Sequence, residues 1–404
     1  MIKLDVVVTE SFHSITGVNQ VLRREVMNHD FFLEKGIDSH TFTLDDIGNT
    51  LVIVKAKNKN TQLIKILKGF ARSLGLHSRV YSAFRLWLIV KNSKRIVDYY
   101  YSLNRNPDVI VFHSVYDSYQ YLKKYGNGGK KIVQFIHADS AKMGMAFAYF
   151  PKLKGTFAEK QMNKLHQYVV ENVDKVVSIS EIGAKNFVQE FPQIKDKVVA
   201  IVNGIEDISN EQKQLLNEMK AKAYKHKYRL VSSGSINGRK GQWIIVHAMA
   251  KLNTDQLRHI SLTLVGDGPE RKELETFVKE HNLSDNVNFT GAVNNDKVFD
   301  YLISSNIYVL MSSSEGLPIS IIEGLRCGLP VIATNVAGIP ETVIDHQNGL
   351  LINRDVDELA SVLANIDNYD WEEYGKESRK HYENKFTYLR MREGYANMIN
   401  SLMQ

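Results

Sequence analysis

Ser312-Ser313-Ser314-Glu315-Gly316-Leu317-Pro318-Ile319-Ser320-Ile321-Ile322-Glu323-Gly324-Leu325 follows a hydrophobic run, Asn306 to Met311, and the two segments together decide the fold. The run reads as a buried strand, and the Ser/Gly stretch as the loop that leaves it. Pro is favoured at the first helical position, so a helix is expected to start near Leu317-Pro318. A strand that opens through a polar loop into a helix is where open α/β sheets bind ligands. The first amides of such a helix, and the positive end of its dipole, suit a phosphate. At 1.5 Å per residue, Glu323 lies roughly 8 Å along the helix axis. Glu315 and Glu323 then flank an anion site with two carboxylates able to take hydroxyl groups. A nucleotide sugar presents sugar, diphosphate and ribose in that order.

Working outward, the chain alternates strand-like and helix-like segments. Lys3–Val8, Val109–His113, Lys131–His137, Lys175–Ile179 and Val198–Val202 are short β-branched runs that end in polar or Gly-containing turns. Leu230–Ser232, Ser261–Val265, Val287–Thr290, Ile307–Leu310 and Val331–Ala333 repeat the plan. A βα series of this kind predicts parallel sheets. The expectation is an α/β chain with two Rossmann-like, doubly wound domains facing each other across a cleft. Residues 1–205 form the first and residues 206–375 the second. Residues 376–404 close the chain as a helix crossing back toward the first domain. Trp371 to Leu402 reads as one helical stretch with no strand after it.

A chain of 404 residues with 44% hydrophobic and 24% charged content suits two soluble α/β domains. A single cysteine, Cys327, excludes an intramolecular disulfide and a cysteine-based metal cluster, and it reads as a core residue. The amino terminus has no signal-peptide pattern, and the longest apolar stretch, Ala83 to Val90, is interrupted by Arg85. A cytoplasmic location is expected. The net charge of +6 is uneven: Lys55 to Arg105 carries twelve Lys/Arg and one acid, Asp98, so the remainder is net acidic. Within that segment Leu63, Ile66, Leu67, Phe70 and Leu74 recur at helical spacing among Lys65, Lys68 and Arg72, and Phe84, Trp87 and Leu88 follow. A basic amphipathic helix of this kind points to a peripheral anionic membrane surface. The alternative is a core-facing helix with a solvated basic face. No recognition motif for nucleic acid accompanies the charge.

Four motifs in order resemble the nucleotide-binding half of a GT-B fold glycosyltransferase of family 4. They are Ser233-Gly234-Ser235-Ile236-Asn237-Gly238-Arg239-Lys240-Gly241, Leu264-Val265-Gly266-Asp267-Gly268-Pro269-Glu270-Arg271, Val287-Asn288-Phe289-Thr290-Gly291, and Glu315 to Glu323 continuing into Gly328-Leu329-Pro330-Val331-Ile332-Ala333-Thr334. The resemblance covers residues 228–353 strongly and the amino-terminal half weakly. It implies a retaining, nucleotide-sugar-dependent transferase with no cofactor beyond its donor substrate. Glu315 is similar to the glutamate that contacts the donor sugar, and Glu323 to the one that binds the ribose. The donor-binding stretch Gly316, Leu317, Pro318 and Ile319 would contact sugar and phosphate through its backbone N–H groups, and Lys240 matches the residue that neutralises the diphosphate. Backbone near Val293 would contact the base. The family usually has Arg directly after the first loop glycine; Ser235 stands there instead. Arg239 either replaces that charge or is an exposed loop residue. Pro318 stands where many members have Gly, which removes one backbone donor.

In the first domain His137 ends the strand Val133–Ile136 and resembles the histidine near the donor's reacting centre. His113 ends another strand. Thr16-Gly17-Val18 looks like the glycine loop that approaches the diphosphate, so Gly17 joins the donor-binding set. Ser180-Glu181 and Asn203-Gly204 read as turn and cap residues. Asp355-Val356-Asp357 has the form of a metal-binding motif, but it opens a helix and reads as a cap; no metal site is expected. The resemblance implies a glycosyltransferase acting on a polysaccharide or lipid-linked acceptor. A synthase acting on a soluble sugar or sugar phosphate, and an inactive nucleotide-sugar-binding partner subunit, remain alternatives.

Overall fold

The computed structural model describes residues 1–9, 29–47, 78–137 and 151–404. The chain divides into two compact units, Met1–Val202 with Arg392–Gln404, and Asn203–Met391.

The first unit is built on six parallel strands: β1 (Ile2–Val8), β2 (Ile37–Thr43), β3 (Val109–Phe112), β4 (Lys131–Ile136), β5 (Lys175–Ser178) and β6 (Val198–Ala200). Their spatial order is β2-β1-β3-β4-β5-β6. Every residue of β3 is buried, as expected for a strand covered on both faces by helices. Val7, Ile110, Phe112, Ile132 and Val176 share a core with Ile96, Val97 and Tyr100 of the helix Arg79–Ser102. Strand order reverses between β1 and β3, so the carboxyl ends of those strands mark the switch point of this sheet.

The second unit repeats the plan with β7 (Tyr228–Ser233), β8 (Ile260–Val265), β9 (Val287–Gly291), β10 (Ile307–Leu310), β11 (Val331–Thr334) and β12 (Gly349–Ile352), in the order β12-β11-β10-β7-β8-β9. All ladders are parallel. Here the reversal falls between β7 and β10, whose Leu230 and Val231 pair with Ile307 and Tyr308. The switch point therefore lies where the Ser233–Gly241 loop and the Ser312–Glu315 loop both begin.

Two strands escaped the sequence reading. β2 is an edge strand with a mixed, half-exposed pattern, Ile-Asp-Ser-His-Thr-Phe-Thr, and lacks the apolar run that marks the inner strands. β12 is four residues long and starts at a glycine. The carboxyl-terminal stretch is also two helices, Trp371–Lys385 and Tyr388–Ser401, instead of one. The break has a specific cause. The Ile205 amide donates to the Phe386 carbonyl and the Tyr388 amide donates to the Ile205 carbonyl, each at 2.9 Å. Those backbone groups are thereby diverted from helix bonding. The Tyr382 hydroxyl also donates to the Ile205 carbonyl at 2.9 Å. Between Val202 and Ile205, Gly204 packs so closely that a Cβ would sit 2.3 Å from the Thr387 carbonyl oxygen.

Gly204→Ala is accordingly expected to destabilise the protein by about 2–3 kcal/mol, through overpacking against backbone. Gly394→Ala, in the last helix with nothing nearer than 3.5 Å, is the control. It should gain up to about 1 kcal/mol from helix propensity. Urea unfolding of both variants checks the contrast.

Candidate functional site

At the switch point of the second unit, two loops are clasped to each other. The loop after β7 ends at Gly241, whose φ is +71° and whose absent Cβ would lie 2.0 Å from the Met311 carbonyl oxygen. Only glycine permits that approach. The Ser313 amide donates to the Arg239 carbonyl at 2.8 Å. The Arg239 Nη1 donates in return to the Ser314 carbonyl at 2.8 Å. Arg354, from the turn after β12, donates through Nε to the Met311 carbonyl at 3.0 Å and through Nη2 to the Gly238 carbonyl. Lys240 is held in a turn by its own amide, which donates to Asn237 Oδ1 at 3.1 Å.

The clasp brings Glu315 against both cations of the opposite loop. Its Oε1 lies 2.7 Å from Lys240 Nζ and 2.9 Å from Arg239 Nη1. Ser312 Oγ donates to the same oxygen at 2.7 Å. The Glu315 and Lys240 side chains are only 10% and 12% exposed, while Arg239 is 31% exposed. Burial pushes the Glu315 carboxyl up, but the charges of Lys240 and Arg239 and the hydrogen bonds outweigh it and hold the group below its usual value. The site is therefore an ionised carboxylate and two cations within one shielded patch. Arg239 is not merely an exposed loop residue.

The helix that follows spans Ile319–Arg326, and Pro318 is its extended N-cap instead of its first residue. The Ile321 and Ile322 amides both donate to the Pro318 carbonyl, at 3.0 and 3.2 Å. The amides ahead of them are the ones a helix leaves free of intrahelical bonds. Gly316, Leu317 and Pro318 are buried, Ile319 is half-buried, and Glu323 is half-buried further along the helix. Val293 follows β9 and lines a surface pocket with Asn294, Lys297, Asp300, Tyr301 and Ser304. Ser235 presents its carbonyl to Gln242 Nε2 at 3.2 Å. Asp355 accepts from the amides of Asp357 and Glu358, and Asp357 pairs with Lys251, which fits the capping reading of that motif.

In the first unit, His137 and His113 follow β4 and β3. His113 Nδ1 and His137 Nε2 are 2.9 Å apart. The outer nitrogens, His113 Nε2 and His137 Nδ1, are buried with no hydrogen-bond partner among the described residues. Desolvation, then the neighbouring His137, lowers the His113 pKa well below the ordinary value; desolvation lowers His137 to about 4. In the same unit Asp117, on the helix Val115–Tyr125, is fully buried and accepts from the Thr9 amide at 3.1 Å. Burial raises its carboxyl to about 7 against hydrogen bonds from the Thr9 hydroxyl and amide. Gly17, and the basic stretch Leu63 to Leu74, lie outside the described residues.

The sequence reading missed Arg354 and Ser312. Ser312 was readable as part of the loop. Arg354 had no local signal, since its partners lie 43 and 116 positions away.

Two family models match nearly end to end. "Glycosyltransferase Family 4" matches residues 34–207, and "Glycosyl transferases group 1" matches residues 214–384. The chain belongs to the GT-B glycosyltransferases of the family 4 type. An uncharacterised glycosyltransferase of Methanocaldococcus jannaschii is 29% identical over 58% of this chain and 62% of its own length. The phosphatidylinositol N-acetylglucosaminyltransferase GPI3 subunit of Saccharomyces cerevisiae is 25% identical over 45% of this chain and 40% of its own. The chain thus spans less than two thirds of these relatives. In fold, Anabaena HepE, solved in complex with UDP, has a TM-score of 0.67 at 17% identity and covers 99% of this chain and 100% of its own.

The His pair gives a pH dependence. An unfolded histidine takes up a proton as the pH falls through about 6.5, whereas the folded His137 does so only near 4. The histidines' contribution to stability is therefore full above about 6.5 and is lost as the pH falls toward 4, while the raised Asp117 carboxyl acts in the opposite sense over that range, so the slope is read as the difference between wild type and variant. Thermal midpoints measured between pH 7 and pH 4 should show this slope, and His137→Gln should flatten it.

Proposed function

We propose that this protein is a retaining glycosyltransferase that moves a sugar from a nucleoside diphosphate sugar to an acceptor hydroxyl. The observation that carries the reading is the buried cluster of Glu315, Lys240 and Arg239 at the switch point, beside a helix amino terminus. In this reading Lys240 and Arg239 neutralise the diphosphate. Glu315 binds hydroxyls of the transferred sugar, and Glu323 those of the ribose. Amides of Gly316, Leu317 and Ile319 complete the anion site, and Val293 lies by the base. His137 serves on the acceptor side, and Gly17 approaches the diphosphate.

Front-face attack is the step we favour. The bond between the anomeric carbon and the phosphate oxygen breaks, the acceptor oxygen bonds to the same face, and the departing phosphate oxygen takes the acceptor proton. The protein's work is then positioning and charge stabilisation. With two side-chain cations at the diphosphate, no metal is invoked. A donor phosphate entering this patch would compete with Glu315 for Lys240 and Arg239, freeing the carboxylate for the sugar.

For the acceptor we propose a polysaccharide or lipid-linked chain, in assembly of a bacterial surface polysaccharide or glycolipid at the cytoplasmic face of the membrane. The basic amino-terminal segment supports this, as does the lipid substrate in the name of the yeast relative. Among the described residues no helix is long and apolar enough to cross a membrane, so a peripheral contact is the form proposed.

Transfer assays with purified variants test the site. Lys240→Ala and Glu315→Ala should each cost on the order of 10²–10³ in rate with an unchanged far-UV spectrum. Arg239→Ala, the more exposed cation, should cost only about tenfold. Near wild-type turnover in Lys240→Ala or Glu315→Ala contradicts the assignment.

A further inference from the structure

The membrane reading rests on the basic amino-terminal segment as a whole, and within it the helix Arg79–Ser102 offers one particular face. We propose that the amino-terminal half of this helix, led by Val80, Phe84 and Trp87, is the face that lies on anionic lipid. This inference rests on the membrane reading above.

The helix carries apolar side chains on both of its sides. At about 100° per residue, Ser82, Ser93, Ile96, Val97 and Tyr100 fall on one side. All five are buried, two of them serines. On the same wheel Val80, Phe84, Trp87 and Lys91 fall within about 60° of one another on the opposite side. There the apolar side chains face solvent: Val80 is 81% exposed, Phe84 51% and Trp87 53%. Single exposed apolar residues are ordinary on a soluble surface. Three on one stripe within about two turns are not. The Phe84 and Trp87 rings stack at 5.8 Å, which presents them as one apolar wedge.

Charge selects the occupant. Arg79, Arg85, Lys91 and Lys94 are all exposed on this helix, and no acid occurs from Arg79 to Val97. The first acid, Asp98, is engaged by Lys124 at 2.8 Å. Lys91 Nζ lies 4.9 Å over the Trp87 ring, so a cation flanks the wedge directly. Aromatic rings settle at the headgroup level of a bilayer while lysine and arginine meet its phosphates. The stripe from Val80 to Lys91 offers both on a face about 16 Å long, the geometry of a helix lying in the interface.

Flotation of the full chain with vesicles tests this at low salt, alongside quenching of tryptophan emission by brominated lipid. Wild type should float with mixed phosphatidylcholine and phosphatidylglycerol vesicles but not with phosphatidylcholine alone. Phe84→Ser/Trp87→Ser should reduce the bound fraction about tenfold or more with an unchanged thermal midpoint, because both side chains face solvent. Trp87 is one of three tryptophans, so brominated lipid should quench wild type and spare Trp87→Phe. If wild type floats and the double variant floats equally, this face is overturned while the membrane reading stands, and the wedge belongs to a protein partner. If wild type fails to float, both are overturned.

Discussion

A carboxylate buried to 10% exposure keeps its charge only if cations and hydrogen bonds replace the water it has lost. Glu315 meets that condition with Lys240, Arg239 and Ser312, all converging on one oxygen. Much of the second unit's switch point follows from it. The cations come from the loop after β7 and the carboxylate from the loop after β10, so the two loops must be held in contact. Gly241 allows that contact by having no side chain, and Arg354 enforces it by binding a carbonyl on each side. A buried ion pair of this kind is weak evidence for stability. Its value here is chemical: it holds two cations, Lys240 largely buried and Arg239 partly so, where the sheet topology would place a ligand.

This dependence explains what the sequence could and could not reveal. The inner strands were legible because burial on both faces demands uninterrupted apolar runs, as in Val109–Phe112 and Ile307–Leu310. The edge strand β2 was not, because half-exposed residues obey no such demand. Glu315, Lys240 and Glu323 could be singled out because each sits in a local motif whose order along the chain is informative. Their mutual arrangement could not. Nothing in the sequence says that Glu315 engages Arg239 as well as Lys240. The clamp by Arg354 and the helix break at Phe386–Thr387 are long-range effects, set by partners far away in sequence.

The two units differ in what they specify. The second carries an ordered set of motifs around one charged cluster, and its chemistry points to a phosphorylated, hydroxyl-rich donor. The first shares the parallel architecture, but two of its strand ends carry a pair of buried imidazoles, and the helix after β3 holds a buried Asp117 whose carboxyl is raised to about 7. Burial without a counter-charge drives both away from ionisation.

The central claim is that the loops joined by Glu315 form the donor site. Hydrogen–deuterium exchange of the full chain, with and without UDP- and GDP-linked sugars, tests it most directly because it locates the ligand without requiring turnover. The account predicts protection in residues 233–241 and 312–323 on adding the correct donor, and loss of that protection in Lys240→Ala. Protection confined to other segments, or the same protection in Lys240→Ala, would contradict it.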